Sequence, residues 1–166
     1  MLVLNILIML AAFTFMEFVA WFTHKYVMHG FLWMLHRDHH QPELHSGFFE
    51  RNDAFFLIFA IPGMLFIFFG YANGWMDPRL WIGVGITLYG LAYLLVHDIF
   101  VHQRFKFLRK TSNLYFMALR KAHKIHHKHL QKEDGECFGI LWVPRRYFQE
   151  AKETKQRRQN AHIPAR

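Results

Sequence analysis

Residues 1–23 form an almost unbroken apolar run, interrupted mainly by Asn5 and Glu17. At 1.5 Å per residue it is long enough to cross a hydrocarbon core of about 30 Å. A polar stretch from about residue 24 to 53 follows, then a second apolar run over 54–71, where Pro62 and Gly63 predict a kink. The stretch ANGWMDP (72–78) supplies turn residues, and a third apolar run over 80–96 ends at His97. The pattern predicts an all-α integral membrane protein of about three transmembrane helices, a long first helix followed by a helical hairpin. Residues 24–53 and 97–166 then share one side of the membrane, opposite the 72–78 turn. Residues 113–130 read as a basic, partly amphipathic interfacial helix. The run FGILWV (138–143) is too short to span and is expected to dip into the interface. Residues 149–166 are polar and predict a frayed tail, so the division is a membrane-embedded domain over 1–148 and a tail over 149–166.

Composition agrees with lipid as the solvent: 53% of the 166 residues are hydrophobic, with 19 Phe and 5 Trp. The formal charge is +8, and of the 20 Lys and Arg only Arg79 lies between Asp53 and Phe100, while none precedes Lys25. By the positive-inside rule the basic side is cytoplasmic. The amino-terminal run lacks the charged region of a secretory signal, which predicts a retained helix. One cysteine, Cys137, excludes a disulfide framework or a thiolate zinc site within the chain.

Against this background ten of the 13 histidines repeat one grammar twice. His24 and His29 form HxxxxH and His36, His39 and His40 form HxxHH. His97 and His102, then His123, His126 and His127, do the same in the second half. Imidazole is the commonest metal-binding side chain, and one ion accepts about four to six ligands, so ten ligands point to two metals. On a helix HxxHH presents its rings within about 100° of arc, whereas HxxxxH leaves its two rings roughly 140° apart. Each HxxxxH pair therefore serves different ions or straddles a distorted helix end. Carboxylates should balance the ionic charge or accept the outer imidazole N–H, and the candidates are Glu17, Asp38, Asp53 and Asp98. Glu17 lies nearly two turns before His24, on the same face, and a carboxylate in an apolar span is costly unless it faces a site. His45, His129 and His162 fall outside the pattern and read as structural or surface residues. Phe66, Phe68 and Trp81 read as lipid-facing or packing residues.

The set HKYVMHG, HRDHHQP, HDIFVHQRF, HKIHHK and FGILWVP resembles the bacterial β-carotene hydroxylases of the fatty acid hydroxylase superfamily, over roughly residues 1–144. The resemblance implies a membrane-embedded non-haem di-iron monooxygenase. It would use O2 to hydroxylate C3 of the β-ionone ring, taking β-carotene through β-cryptoxanthin to zeaxanthin. All ten motif histidines would be iron ligands, and zinc can replace iron in a purified sample. Unactivated C–H bonds need a redox metal, and the chain has no flavin or nicotinamide motif, so two electrons per turnover come from an external donor. In the family this donor is a ferredoxin-type carrier. The implied location is the bacterial inner membrane, with the metal site on the cytoplasmic side and the carotenoid delivered from the membrane lipids. The basic face at Arg104, Lys106, Arg109, Lys110, Lys124 and Lys128 suits anionic lipid or an acidic carrier equally. Nucleic acid is not an expected partner, because topology already accounts for the charge.

Three other readings stay open. The same centre serves a hydroxylase or desaturase of a fatty acyl or other lipid. A membrane metal transporter or zinc-binding protein also uses histidine clusters. A bis-histidine haem cytochrome needs only one axial pair.

Overall fold

The computed structural model describes residues 1–44, 47–105, 110–133 and 135–161, and every regular element among them is helical. Helix α1 (Leu2–Phe22) runs directly into a π-helical segment, Thr23–Phe31. The helix breaks at Gly30, whose φ/ψ of −113° and −124° lie outside the helical region, and α2 (Trp33–His40) begins beyond it. A short 3-10 turn, Arg51–Asp53, leads into α3 (Ala54–Ala72), which continues through Pro62. Asp77 caps α4 (Pro78–Tyr93) by accepting from Arg79 N, and α4 passes into a second π-helical segment, Leu94–Val101. Helix α5 (Leu114–His126) is capped by Asn113, which accepts from Tyr115 N and Phe116 N, and α6 (Arg145–Asn160) follows.

Three stretches, Leu2–Phe31, Arg51–Ala72 and Pro78–Val101, are long and apolar enough to cross a membrane. Only 11%, 17% and 22% of their most apolar windows are buried inside the protein, so the remaining Phe, Leu and Ile face outward. Water would penalise that much exposed apolar surface and a bilayer does not. This is an integral membrane protein.

Helix α4 packs between α1 and α3. A Cβ at Gly83 would lie 2.7 Å from Gly63 O, and one at Gly85 would lie 2.5 Å from Met9 O, so each glycine lets a neighbouring backbone approach. Buried Asn5 donates its side-chain N–H to Met76 O at 2.9 Å, fastening the start of α1 to the 72–78 turn. All histidine motifs lie toward the opposite ends of the spans.

The polar tail expected from residue 149 is instead the body of α6. Tyr147 and Ala151, one turn apart and each 2% exposed, pack on Ala118, Leu119 and Ala122 of α5. The small α5 residues admit close approach, and an ion pair between Lys121 and Glu150 closes the edge. The division at 148/149 therefore falls inside a helix. Residues 138–143 also differ from expectation: Phe138, Ile140 and Val143 are buried in the protein, and Trp142 alone is largely exposed at 80%.

Candidate metal centre

The two HxxxxH pairs sit on the two π-helical segments, and that is what brings each pair together. An i→i+5 hydrogen bond, seen as His102 N to His97 O at 2.9 Å, closes a wider turn that carries residue i+5 back over residue i. The ring centroids of His24 and His29 are 5.1 Å apart and those of His97 and His102 are 4.5 Å apart. Of the two alternatives for this spacing, the distorted helix holds in both halves.

The ligand atoms form two groups among the described residues. His24, His29, His36, His40 and His126 make the first, and His39, His102, His123 and His127 the second. His97 completes the second, its ring 4.5 Å from His102 and 4.8 Å from His123. Each HxxHH motif is divided: its i and i+4 rings join the group of their own half, while the i+3 ring crosses over. His126 enters the first group and His39 the second. Each group thus takes four rings from one half of the chain and one from the other.

In the first group the Nε2 atoms of His24 and His36 lie 3.0 Å apart, His36 and His40 3.1 Å, His24 and His126 3.1 Å, and His29 and His126 3.3 Å. In the second, His102 and His123 are separated by 2.7 Å and His123 and His127 by 2.9 Å. In four of the five rings of the first group Nδ1 faces an acceptor that has no proton to give: Phe138 O for His24 at 2.8 Å, Leu130 O for His29 at 3.0 Å, Asn52 Oδ1 for His36 at 2.7 Å and Glu136 O for His126 at 3.0 Å. Those Nδ1 atoms therefore carry the hydrogen, and their Nε2 lone pairs point at one another. Lone pairs packed this way repel unless a cation lies between them. The second group repeats the problem, because the buried Nε2 atoms of His39 and His97 have no hydrogen-bond partner among the described residues. Ligands about 2.1 Å from one ion are roughly 3.0 Å apart at right angles and 3.4 Å apart at a tetrahedral angle. The donor set and its spacings fit a metal ion in each group.

The outer partners only partly match the candidates read from the sequence. Asp98 accepts from His97 Nδ1 at 2.8 Å, as its adjacency allows. Asp38 instead accepts from Arg51 N at 2.7 Å, and Asp53 accepts from Glu50 N and Arg104. Sequence reasoning missed Glu50, which accepts from His39 Nδ1 at 2.8 Å, and Asn52. Both lie on a short segment without periodicity, where only the notable polarity of 50–53 could have drawn attention to them.

Among the described residues Glu17 reaches no histidine ring. Its carboxylate accepts from Tyr89 Oη at 2.7 Å, Leu141 N at 2.9 Å, Trp142 N at 3.0 Å and Ile140 N at 3.4 Å. It clasps the 138–142 strap to α1, and the Phe138 carbonyl of that strap orients His24. The Phe138 ring closes the first group, 5.4, 5.2 and 5.0 Å from His24, His29 and His126. The α1 carboxylate thus acts on the site through a loop.

Burial holds the histidines outside the spans neutral. It keeps His36, His39, His123 and His126 well below the ordinary imidazole range, with neighbouring imidazoles adding to the effect. The same causes bring His40 down to about 2 and His102 to about 3, and burial brings His127 to about 4. Neutral imidazole is the metal-binding form. Burial also pushes the Cys137 thiol up to about 11, away from the reactive thiolate.

The expected basic face is divided. Arg104 pairs with Asp53 at 2.9 Å, whereas Lys110 and Lys124 join Lys121, Lys155 and Arg158 around a groove of about 930 Å³ between α5 and α6. Lys106, Arg109, His45 and His162 lie outside the described residues.

A profile of the fatty acid hydroxylase family matches residues 9–145, a stretch that contains every motif histidine. The chain belongs to the fatty acid hydroxylase family. The family match ends at the first residue of α6. Within this family the chain is similar to a beta-carotene hydroxylase of Pantoea ananas, 41% identical over 140 residues that cover 84% of this chain and 78% of that protein. It is 42% identical over 139 residues to a beta-carotene hydroxylase of Pseudescherichia vulneris, covering 84% and 77%. A chloroplastic beta-carotene 3-hydroxylase of Arabidopsis thaliana is 36% identical over 132 residues, 78% of this chain and 42% of the plant protein. No solved structure matches the chain.

Proposed function

We propose that the protein is an O2-dependent carotenoid ring hydroxylase, adding hydroxyl at C3 of the β-ionone ring at a non-haem di-iron centre. The observation that carries the reading is the pair of five-histidine groups with converging Nε2 lone pairs, in a chain whose relatives at 41% and 42% identity are named beta-carotene hydroxylases. One iron would be held by His24, His29, His36, His40 and His126, the other by His39, His97, His102, His123 and His127. Iron at these positions supplies the redox chemistry that inserts one atom of O2 into an unactivated C–H bond, in a net reaction that consumes two electrons and two protons and releases water. The protein contributes orientation and exclusion. Carbonyls of Leu130, Glu136 and Phe138 with Asn52 fix the tautomer and angle of four rings, and Glu50 and Asp98 fix two more. Phe138 and the buried strap keep water from the first group.

Both groups lie where the spans end, so a lipid-dissolved ring reaches them from the bilayer and electrons reach them from water. The positive-inside rule assigns this side to the cytoplasm of the bacterial inner membrane, and an external ferredoxin-type carrier supplies the electrons. The test is pigment analysis of a β-carotene-producing bacterial host that expresses the chain. β-Cryptoxanthin and zeaxanthin are expected, and unchanged β-carotene beside a newly hydroxylated lipid would overturn the substrate assignment.

A further inference from the structure

The two histidine groups are matched in ligand type and number but not in what stands behind them. Behind His24, His29, His36 and His126 of the first group the acceptors are three main-chain carbonyls and the Asn52 amide oxygen, all neutral. Behind the second, His39 donates to Glu50 and His97 to Asp98, each at 2.8 Å. Both carboxylate–imidazole bonds among the described residues fall on this group. Arg104 is shared between neighbouring carboxylates, its guanidinium 2.9 Å from Asp53 and 3.8 Å from Glu50. The repeated motif marks the difference in the sequence. Lys25 follows the first histidine of HKYVMH, and Asp98 occupies the equivalent place in HDIFVH.

An imidazole that gives its N–H to a carboxylate becomes a stronger donor at its other nitrogen, and a nearby negative charge offsets the charge of the ion. A neutral acceptor orients the ring and adds little more. Ten histidines cannot by themselves distinguish two ions, so a difference between the centres has to come from the groups behind them.

We propose that Glu50 and Asp98 make the two centres unequal: the His39, His97, His102, His123 and His127 centre binds a divalent ion more tightly, fills first and favours the higher-charged ion of the pair. This rests on the two-metal reading above and adds a division of roles to it. The Glu50 and Asp98 carboxylates would then favour the more oxidised ion of a half-reduced pair at this centre.

The test is titration of the full-length, metal-free protein in detergent with Co²⁺, followed by visible absorption. Two steps are expected. Glu50→Gln and Asp98→Asn retain an acceptor for the ring N–H and remove only the charge, so each should weaken the tighter step by about 10- to 100-fold and leave the other in place. Asn52→Ala should weaken the looser step instead. His102→Ala should abolish the tighter step and His29→Ala the looser one, while the charge-only variants read the assignment even where a histidine variant fails to fold. The inference is overturned if Glu50→Gln leaves the tighter step unmoved or if His29→Ala removes the step that fills first. Uptake of fewer than two ions by the unaltered protein would sink the two-metal reading, and the inference with it.

Discussion

Replacing Glu17 with Ala tests the claim that a carboxylate inside α1 builds the site from a distance. The substitution removes the acceptor of the Tyr89 hydroxyl and of three strap N–H groups. Trp142 is 80% exposed, so its N–H can be solvated, and the Ile140 bond is long at 3.4 Å. Two well-formed bonds remain, from Tyr89 at 2.7 Å and Leu141 at 2.9 Å. Stranding a buried donor costs about 1–3 kcal/mol, so the loss is on the order of 3 kcal/mol. For a chain of this size that corresponds to a fall of roughly 6–12 °C in melting temperature. A freed strap also withdraws the Phe138 carbonyl from His24, so metal affinity at the first group should fall about 10- to 100-fold, as for loss of an outer hydrogen bond. Gly139→Ala should act in the same direction from the other side, because its Cβ would lie 2.4 Å from Glu17 Oε1. The assays are thermal unfolding in detergent and metal content per chain after dialysis. A Glu17→Ala protein that melts normally and retains two ions would refute the clasp.

Other consequences are more direct. His126→Ala should abolish hydroxylation and reduce metal content toward one ion per chain, whereas His129→Ala should retain both, as read by pigment analysis and metal quantification. Ala151→Leu overfills the contact with Ala118 and Ala122 and should cost about 1–3 kcal/mol, seen as a lower melting temperature. Chelation should lower the melting temperature, because the converging Nε2 lone pairs lose their cation; zinc should restore stability, and iron alone activity. The metal-free protein should lose stability as pH falls below about 6.5, the ordinary histidine value. His40 at about 2, His102 at about 3 and His127 at about 4 stay neutral in the fold, so the unfolded chain takes up protons first and acid favours it. Melting measured from pH 7 to pH 4 checks the sign, and a rise in stability over that range would contradict it.

Three spans and the convergence of ten histidines on one side were legible because each rests on a strong local signal: long apolar runs for the spans, and clustered residues of one chemistry for the site. Helix α6 was hidden because it buries little beyond Tyr147 and Ala151, too few positions for a hydrophobic period to emerge. The spacing of those two residues, opposite Ala118 and Ala122, was the available clue. Adjacency to a histidine found Asp98 and misled at Asp38, whose carboxylate is drawn to Arg51 N across the chain. Glu17 was recognised as too costly to face lipid, but its real partners are the Tyr89 hydroxyl and backbone amides more than 120 residues away, which no spacing rule reaches. Spacing alone left HxxxxH undecided, because the answer depends on π-helical turns that the residues themselves do not announce.

Those π-helical turns and the crossing over of His39 and His126 explain why the grammar repeats as a pair of motifs. A π-helical turn at the end of a span delivers two rings to one centre, and an i, i+4 pair from HxxHH adds two more. Each half alone therefore offers four rings to its group. The fifth comes from the opposite half, so neither centre is complete until α2 and α5 face each other across the site. The position of α5 depends in turn on α6 packed behind it and on Arg120, whose guanidinium lies over Phe100 and donates to its carbonyl at 2.8 Å. Complete sites thus report that the π-helical ends of two spans and the peripheral helices have assembled on one side. A helical hairpin inserted without α5 presents the His97 and His102 rings but lacks His123 and His127.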